Sequence, residues 1–219
     1  MKFIKKHRKI IISSIAIVIF ILVARRVFTE QITFYDKYAQ DLVQSIRCDF
    51  LTVVMKLITF MCSITVLLAI CLLTFMLGND KKKASLISIN LILVFLINTL
   101  IKWIVHRPRP DEIMRLIEES GYSFPSGHSM ISMAFYGYIT YLIYKHVKDK
   151  KKRTIYCLLL LFLIFMIGLS RIYLGVHYLS DVLGGFALSV SYLMLFIIIS
   201  PKILDRINGR KKNGKKEKK

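Results

Sequence analysis

Six long apolar stretches separated by charged segments leave this chain little choice but to fold within a lipid bilayer. They cover residues 10–24, 51–77, 85–105, 130–144, 155–170 and 179–200. A helix needs about 20 residues to cross the hydrocarbon core, so the first, fourth and fifth must borrow flanking residues. The expected fold is therefore all-α: a polytopic membrane protein of six transmembrane helices with a helical-bundle core. No connection is long enough to house a second fold, so residues 1–207 read as one membrane domain. Residues 208–219 lack apolar side chains and read as a basic, disordered cytoplasmic tail. The first stretch follows basic residues as a leader peptide would. However, Arg25-Arg26-Val27-Phe28 offers no small-residue cleavage pattern, and the segment is expected to stay as a span.

Charge sets the orientation. If six spans alternate, 23 of the 33 Lys and Arg residues fall on the side of the two termini and nine on the other. That bias places both termini in the cytoplasm, against the local preference of Arg25 and Arg26. A net charge of +20 would suggest nucleic acid in a soluble protein. Here the positive charge sits in the connections and suits anionic inner-leaflet lipid instead, with no nucleic acid as partner. The four cysteines form no CxxC or Cys/His pattern, so neither a disulfide framework nor a metal site is read from them.

The remaining polar residues gather in three clusters. Lys102, His106, Arg107 and Arg109 stand where the third span ends. Ser126, Gly127, His128 and Ser129 stand where the fourth begins, and Arg171, His177 and Asp181 lie between the fifth and sixth. Alternating spans bring all three to the same membrane face. Cations at span ends have an ordinary explanation, since Lys and Arg snorkel to the interface. That explanation weakens when several cations, histidines and a carboxylate meet on one face.

Each cluster offers a piece of anion chemistry. An ammonium and a planar guanidinium suit a phosphate with several oxygens. Local reasoning does not decide which arginine of Arg107-Pro108-Arg109-Pro110 points inward. Pro125-Ser126-Gly127-His128 turns a loop into a helix, whose first N–H groups point outward and favour an anion. His177 and Asp181 are four apart, on one face if helical, where a carboxylate can fix one ring nitrogen and free the other. Asp111, Glu112, Glu118 and Glu119 are the only carboxylates available for a metal and read as a solvated rim. Together the parts fit phosphoryl transfer, with one histidine attacking phosphorus and the other protonating the leaving oxygen.

These residues resemble the three-part signature of the type 2 phosphatidic acid phosphatase superfamily. Lys-x6-Arg-Pro stands as Lys102 to Arg109-Pro110, Pro-Ser-Gly-His as Pro125 to His128, and Ser-Arg-x5-His-x3-Asp as Ser170-Arg171, His177 and Asp181. The resemblance spans Lys102 to Asp181, has no departure at the motif positions, and favours Arg109 in the doublet. It implies that His177 is the nucleophile of a phosphohistidine mechanism, oriented by Asp181, with His128 as general acid. Lys102, Arg109, Arg171, Ser126 and the Gly127 amide would hold the phosphate, with no metal or other cofactor. His106 and Arg107 fall outside the pattern.

The implied activity is hydrolysis of a lipid phosphate at the extracytoplasmic face of a cell membrane, in a chain whose composition looks bacterial. Undecaprenyl diphosphate is the first candidate because it arises on the outer leaflet; phosphatidylglycerophosphate and phosphatidic acid are the alternatives. A non-catalytic lipid-phosphate binding or transport protein, or a haloperoxidase-like use of the pocket, are the competing readings. A binder would not require a placed nucleophile and acid.

Overall fold

The computed structural model describes residues 2–78 and 80–216, with side chains over 7–78 and 80–201. Among these residues the chain is helical with no strand, as its composition demands. The helices are α1 (Lys2–Phe28), α2 (Thr33–Ser45), α3 (Asp49–Phe60), α4 (Ile64–Leu77), α5 (Lys81–Val105), α6 (Gly127–His146), α7 (Lys150–Tyr173) and α8 (Leu179–Lys216). A single 3-10 turn, Glu112–Met114, interrupts the irregular connection between α5 and α6. Helix α8 runs through much of the basic tail, whose last three residues, 217–219, lie outside the described residues.

The six-span expectation needs correction. Helices α1, α5, α7 and α8 are long and apolar enough to cross a membrane, and α3 with α4 makes a fifth if that bent pair is one span. Helix α6 fails the test although it has 20 residues. The reason is its place. It packs on α5, α7 and α8, and Ser129, Ser132, Tyr136 and Tyr138 are buried along it. A helix enclosed by other helices need not be apolar all round, so polarity accumulates where lipid does not reach. The outer helices show the converse: Ile15, Leu22, Phe95, Leu100, Leu159 and Phe162 are exposed apolar residues that suit hydrocarbon.

Small and polar residues bring the bundle together where burial of apolar surface provides little drive between helices. Ser13 of α1 bonds the Ser191 carbonyl of α8 at 3.1 Å, and Ser189 of α8 bonds the Met130 carbonyl of α6 at 2.7 Å. Asn90 of α5 donates to the Ala134 carbonyl of α6 at 2.8 Å. Gly185 lets α8 approach the start of α6 so closely that an added Cβ would stand 2.9 Å from the Ser126 carbonyl oxygen.

Helices α3 and α4 meet at 44° across Met61, Cys62 and Ser63. The Ser63 hydroxyl caps α4 by accepting from the Val66 amide at 3.4 Å. The Tyr136 hydroxyl of α6 donates to the Met61 carbonyl that the break frees. The bend leaves Thr59 facing the end of α7.

Gly175 governs the turn after α7. Its φ of +74 is left-handed, and an added Cβ would overlap the Met114 carbonyl oxygen. The same turn is tied to the 3-10 connection by the Leu116 amide on the Leu174 carbonyl at 2.9 Å, and to the α2–α3 connection by Arg47 on the Tyr173 carbonyl. Gly175→Ala should therefore lower stability by about 2 kcal/mol or more, since a left-handed Cβ alone costs about 1–2 kcal/mol. Thermal unfolding in detergent measures it, and an unchanged midpoint would contradict this packing.

Candidate active site

The three polar clusters meet at one end of the bundle, around the start of α6. Asp181, in the first turn of α8, accepts from the Tyr178 amide at 2.9 Å through the oxygen that also faces His177 Nδ1 at 3.3 Å. The Asp181 carbonyl accepts from the Ser126 amide at 3.0 Å, which joins the start of α8 to the start of α6. His177 is 2% exposed. With Nδ1 turned to a carboxylate, the proton belongs there and Nε2 keeps its lone pair. Burial, then the positive charge of Arg171, Lys102 and Arg109, holds the His177 imidazole well below its ordinary pKa. It is thus neutral at physiological pH.

Around Nε2 stand the cations. Arg109 Nη1 lies 3.2 Å from it. Helix α5 stops at Val105, where His106 takes a left-handed backbone conformation (φ 54), so Arg109 is placed by the loop and not by two more helical turns. The loop pins its guanidinium through the carbonyls of Val176 (3.0 Å), Gly121 (3.0 Å) and Ser120 (2.9 Å). Lys102, in the last turn of α5, donates to the Tyr122 carbonyl. Arg171, 1% exposed at the end of α7, donates to Thr59 at 2.8 Å and pairs with Glu119, while its Nε has no partner among the described residues.

Ser126 caps α6: its hydroxyl accepts from the Ser129 amide (3.4 Å) and the Ser129 hydroxyl (3.0 Å). The Met130 amide is taken by the Ser126 carbonyl at 3.0 Å. Of the four orphan amides at this helix start, those of Gly127 and His128 remain for an anion. The Ser126 hydroxyl accepts in both bonds and keeps its own O–H to donate to an anion. The His128 side chain stands within electrostatic reach of Arg171, His177, Lys102 and Arg109.

Four features of the site were not legible in the motifs. Glu119 does not belong to the solvated rim: it pairs with Arg171 and, at 3.5 Å, with Arg109. A carboxylate thus sits between the two arginines. Glu112, 89% exposed, does behave as rim; it and Glu119 border a cavity of about 700 Å³ with Arg115, Glu118 and Ser120. Thr59 joins through the α3–α4 bend. Both arginines of the doublet turn inward, Arg107 to Asp181 at 2.6 Å and to Asp36 of α2 at 2.7 Å. Only the buried side of an otherwise exposed amphipathic helix distinguishes Asp36, and a sequence does not say which partner that side finds.

A helical membrane bundle with a cationic, two-histidine pocket at one end is what fold and site define. Residues 83–205 match the PAP2 superfamily, and the chain belongs to it. It is similar to phosphatidylglycerophosphatase B of Bacillus subtilis (strain 168), 42% identical over 106 residues, 48% of this chain and 50% of that one. It is also similar to lipid phosphate phosphatase delta of Arabidopsis thaliana, 27% identical over 121 residues, 50% of this chain and 29% of that one. The matched stretch spans about half the length of the first relative and less than a third of the second. Among solved structures, a transmembrane PAP2-type phosphatidylglycerolphosphate phosphatase from Bacillus subtilis superposes with a TM-score of 0.79 at 29% identity, over 87% of this chain and 96% of that one. Aquifex aeolicus LpxE shares the fold, with a TM-score of 0.59 at 23% identity over 74% of this chain and 94% of that one.

Proposed function

We propose that this chain is a membrane lipid phosphatase that works through a phosphohistidine on His177. The observation that carries the reading is the placement of His177, with Nδ1 on Asp181 at 3.3 Å and Nε2 on Arg109 at 3.2 Å. Phosphate enters by displacing Glu119, and its oxygens are held by Lys102, Arg109, Arg171, the Ser126 hydroxyl and the Gly127 amide. The Nε2 lone pair forms the bond to phosphorus as the bond from phosphorus to the lipid oxygen breaks. His128, protonated once the negative phosphate offsets the surrounding cations, gives its proton to that oxygen, and Asp181 supports the positive charge gathered on His177. Water then attacks phosphorus, His128 takes its proton, the phosphorus–nitrogen bond breaks, and inorganic phosphate leaves. The steps use only side chains and amides of this chain.

The substrate class is a lipid phosphate, as the likeness to phosphatidylglycerophosphatases supports. Phosphatidylglycerophosphate is favoured by that likeness, and undecaprenyl diphosphate is the second candidate. The pocket faces away from the cytoplasm and the termini face it, a reading supported by the excess of Lys and Arg on the terminal side. Purified protein is expected to release phosphate from phosphatidylglycerophosphate with EDTA present. A panel including undecaprenyl diphosphate and phosphatidic acid ranks the substrates. Loss of release in EDTA would contradict the mechanism, and failure on every lipid would favour a binding protein.

A further inference from the structure

Asp181 reaches His177 with one oxygen, and its other oxygen is held by a device that starts in α2. Arg107 donates to Asp181 Oδ1 at 2.6 Å, to the Ser180 hydroxyl at 2.7 Å and to Asp36 Oδ2 at 2.7 Å. Asp36 in turn accepts from the Ser180 amide at 2.9 Å and the Ser180 hydroxyl at 2.7 Å. Tyr178 lies beneath the guanidinium, 4.1 Å from ring centroid to Cζ. Four side chains from three separate segments thereby close one ring of charge-assisted bonds next to the histidine.

Helix α2 is not built as a packing helix. Phe34, Tyr35, Tyr38 and Leu42 are exposed, and its buried residues are Asp36 and Val43. Asp36 is 1% exposed, a costly place for a carboxylate unless it is fully paired. Its three donors pair it.

We infer that Asp36 is a positioning residue for the hydrolytic site, acting through Arg107 and Ser180 on Asp181 and so on His177. This rests on the nucleophile reading given above. Two effects combine. Geometrically, Asp36 fixes the guanidinium plane, which fixes Asp181 and leaves its second oxygen for Nδ1. Electrostatically, one guanidinium shared by two carboxylates leaves the ring with a net negative charge. Arg107 alone would neutralise Asp181, so Asp36 preserves the negative potential that supports His177 when it becomes positive. The effect belongs to the chemical step, because Asp36 does not touch the phosphate.

The test is steady-state hydrolysis of phosphatidylglycerophosphate by wild type, Asp36→Asn, Ser180→Ala and His177→Ala, with folded fraction measured by size exclusion in detergent. Asp36→Asn can keep an acceptor for the Ser180 amide, while it removes the charge and puts an NH2 donor where Oδ2 accepted from Arg107 and the Ser180 hydroxyl. Its kcat is expected to fall about 10–100-fold, the scale found for groups that orient a functional ligand, with KM within about twofold. A merely structural role would lower the melting temperature and leave kcat per folded molecule unchanged; that result overturns the inference. If Asp36→Asn does not fold, Ser180→Ala decides, since it keeps every charge and the direct Arg107–Asp36 contact and removes only the hydroxyl between them: a lower kcat at constant KM supports the ring, and an unchanged kcat overturns the route through Ser180. Should His177→Ala retain activity, the underlying reading fails instead. If it is inactive while Asp36→Asn is normal, only the role of Asp36 falls.

Discussion

Replacing His177 with alanine is expected to abolish phosphate release, by about 10⁴-fold or more, on the scale seen when a covalent nucleophile is removed. The protein itself should survive. Asp181 keeps its bonds to Arg107 and the Tyr178 amide, and the variant loses the contacts of His177 to Asp181 (3.3 Å) and Arg109 (3.2 Å) and leaves a small buried gap, a cost of about 1–3 kcal/mol. The cations remain, so inorganic phosphate should still bind. Rapid acid-free quenching with radiolabelled lipid phosphate is the decisive measurement: wild type should trap label on protein and the variant none. A labelled His177→Ala protein would move the nucleophile elsewhere. The neutral state of the imidazole is central here, because a protonated ring has no lone pair to offer.

Arg107→Met is the second large effect, and it falls on a residue outside the motifs. Asp36 and Asp181 are 1% and 0% exposed, and Arg107 is the cation paired with both. Removing one partner of a buried ion pair costs about 3–5 kcal/mol, because a charge is left without compensation. Here two carboxylates lose it together. The variant is expected to unfold at a markedly lower temperature in detergent and to have little phosphatase activity in whatever fraction folds. A melting temperature within a degree or two of wild type would mean that other groups neutralise the pair.

Much of this protein was readable before any fold. The apolar stretches marked the helices. His177 and Asp181 do meet, but α8 starts only at Leu179, so the turn before it, and not a helical period, places His177. The order Lys102–Arg109, Ser126–His128, Arg171–Asp181 gave the pocket its parts. The count of spans is least exact at α6, because hydropathy reports the average of a segment and not what surrounds it. Residues 130–144 are apolar enough to be noticed, yet the helix they belong to is sheltered by α5, α7 and α8.

The acidic residues were the least legible. Glu119 and Glu112 belong to the same loop and look alike in sequence, but one is drawn between Arg171 and Arg109 while the other stays in solvent. Asp36 is separated from Arg107 by 71 positions, and nothing local to either announces the other. A buried carboxylate chooses its partner by where helices are packed, and packing is a property of the whole bundle.

The sequence by itself therefore determined the membrane helices, the three motif clusters and the chemistry their residue types allow, because periodicity and side-chain type act locally. The tertiary structure alone decided that both arginines of the doublet turn inward, that Glu119 occupies the cationic pocket, and that α2 reaches the Arg107–Asp181 pair. Those are contacts between distant segments, fixed only when Gly185 lets α8 meet α6 and Gly175 turns the chain back over the site.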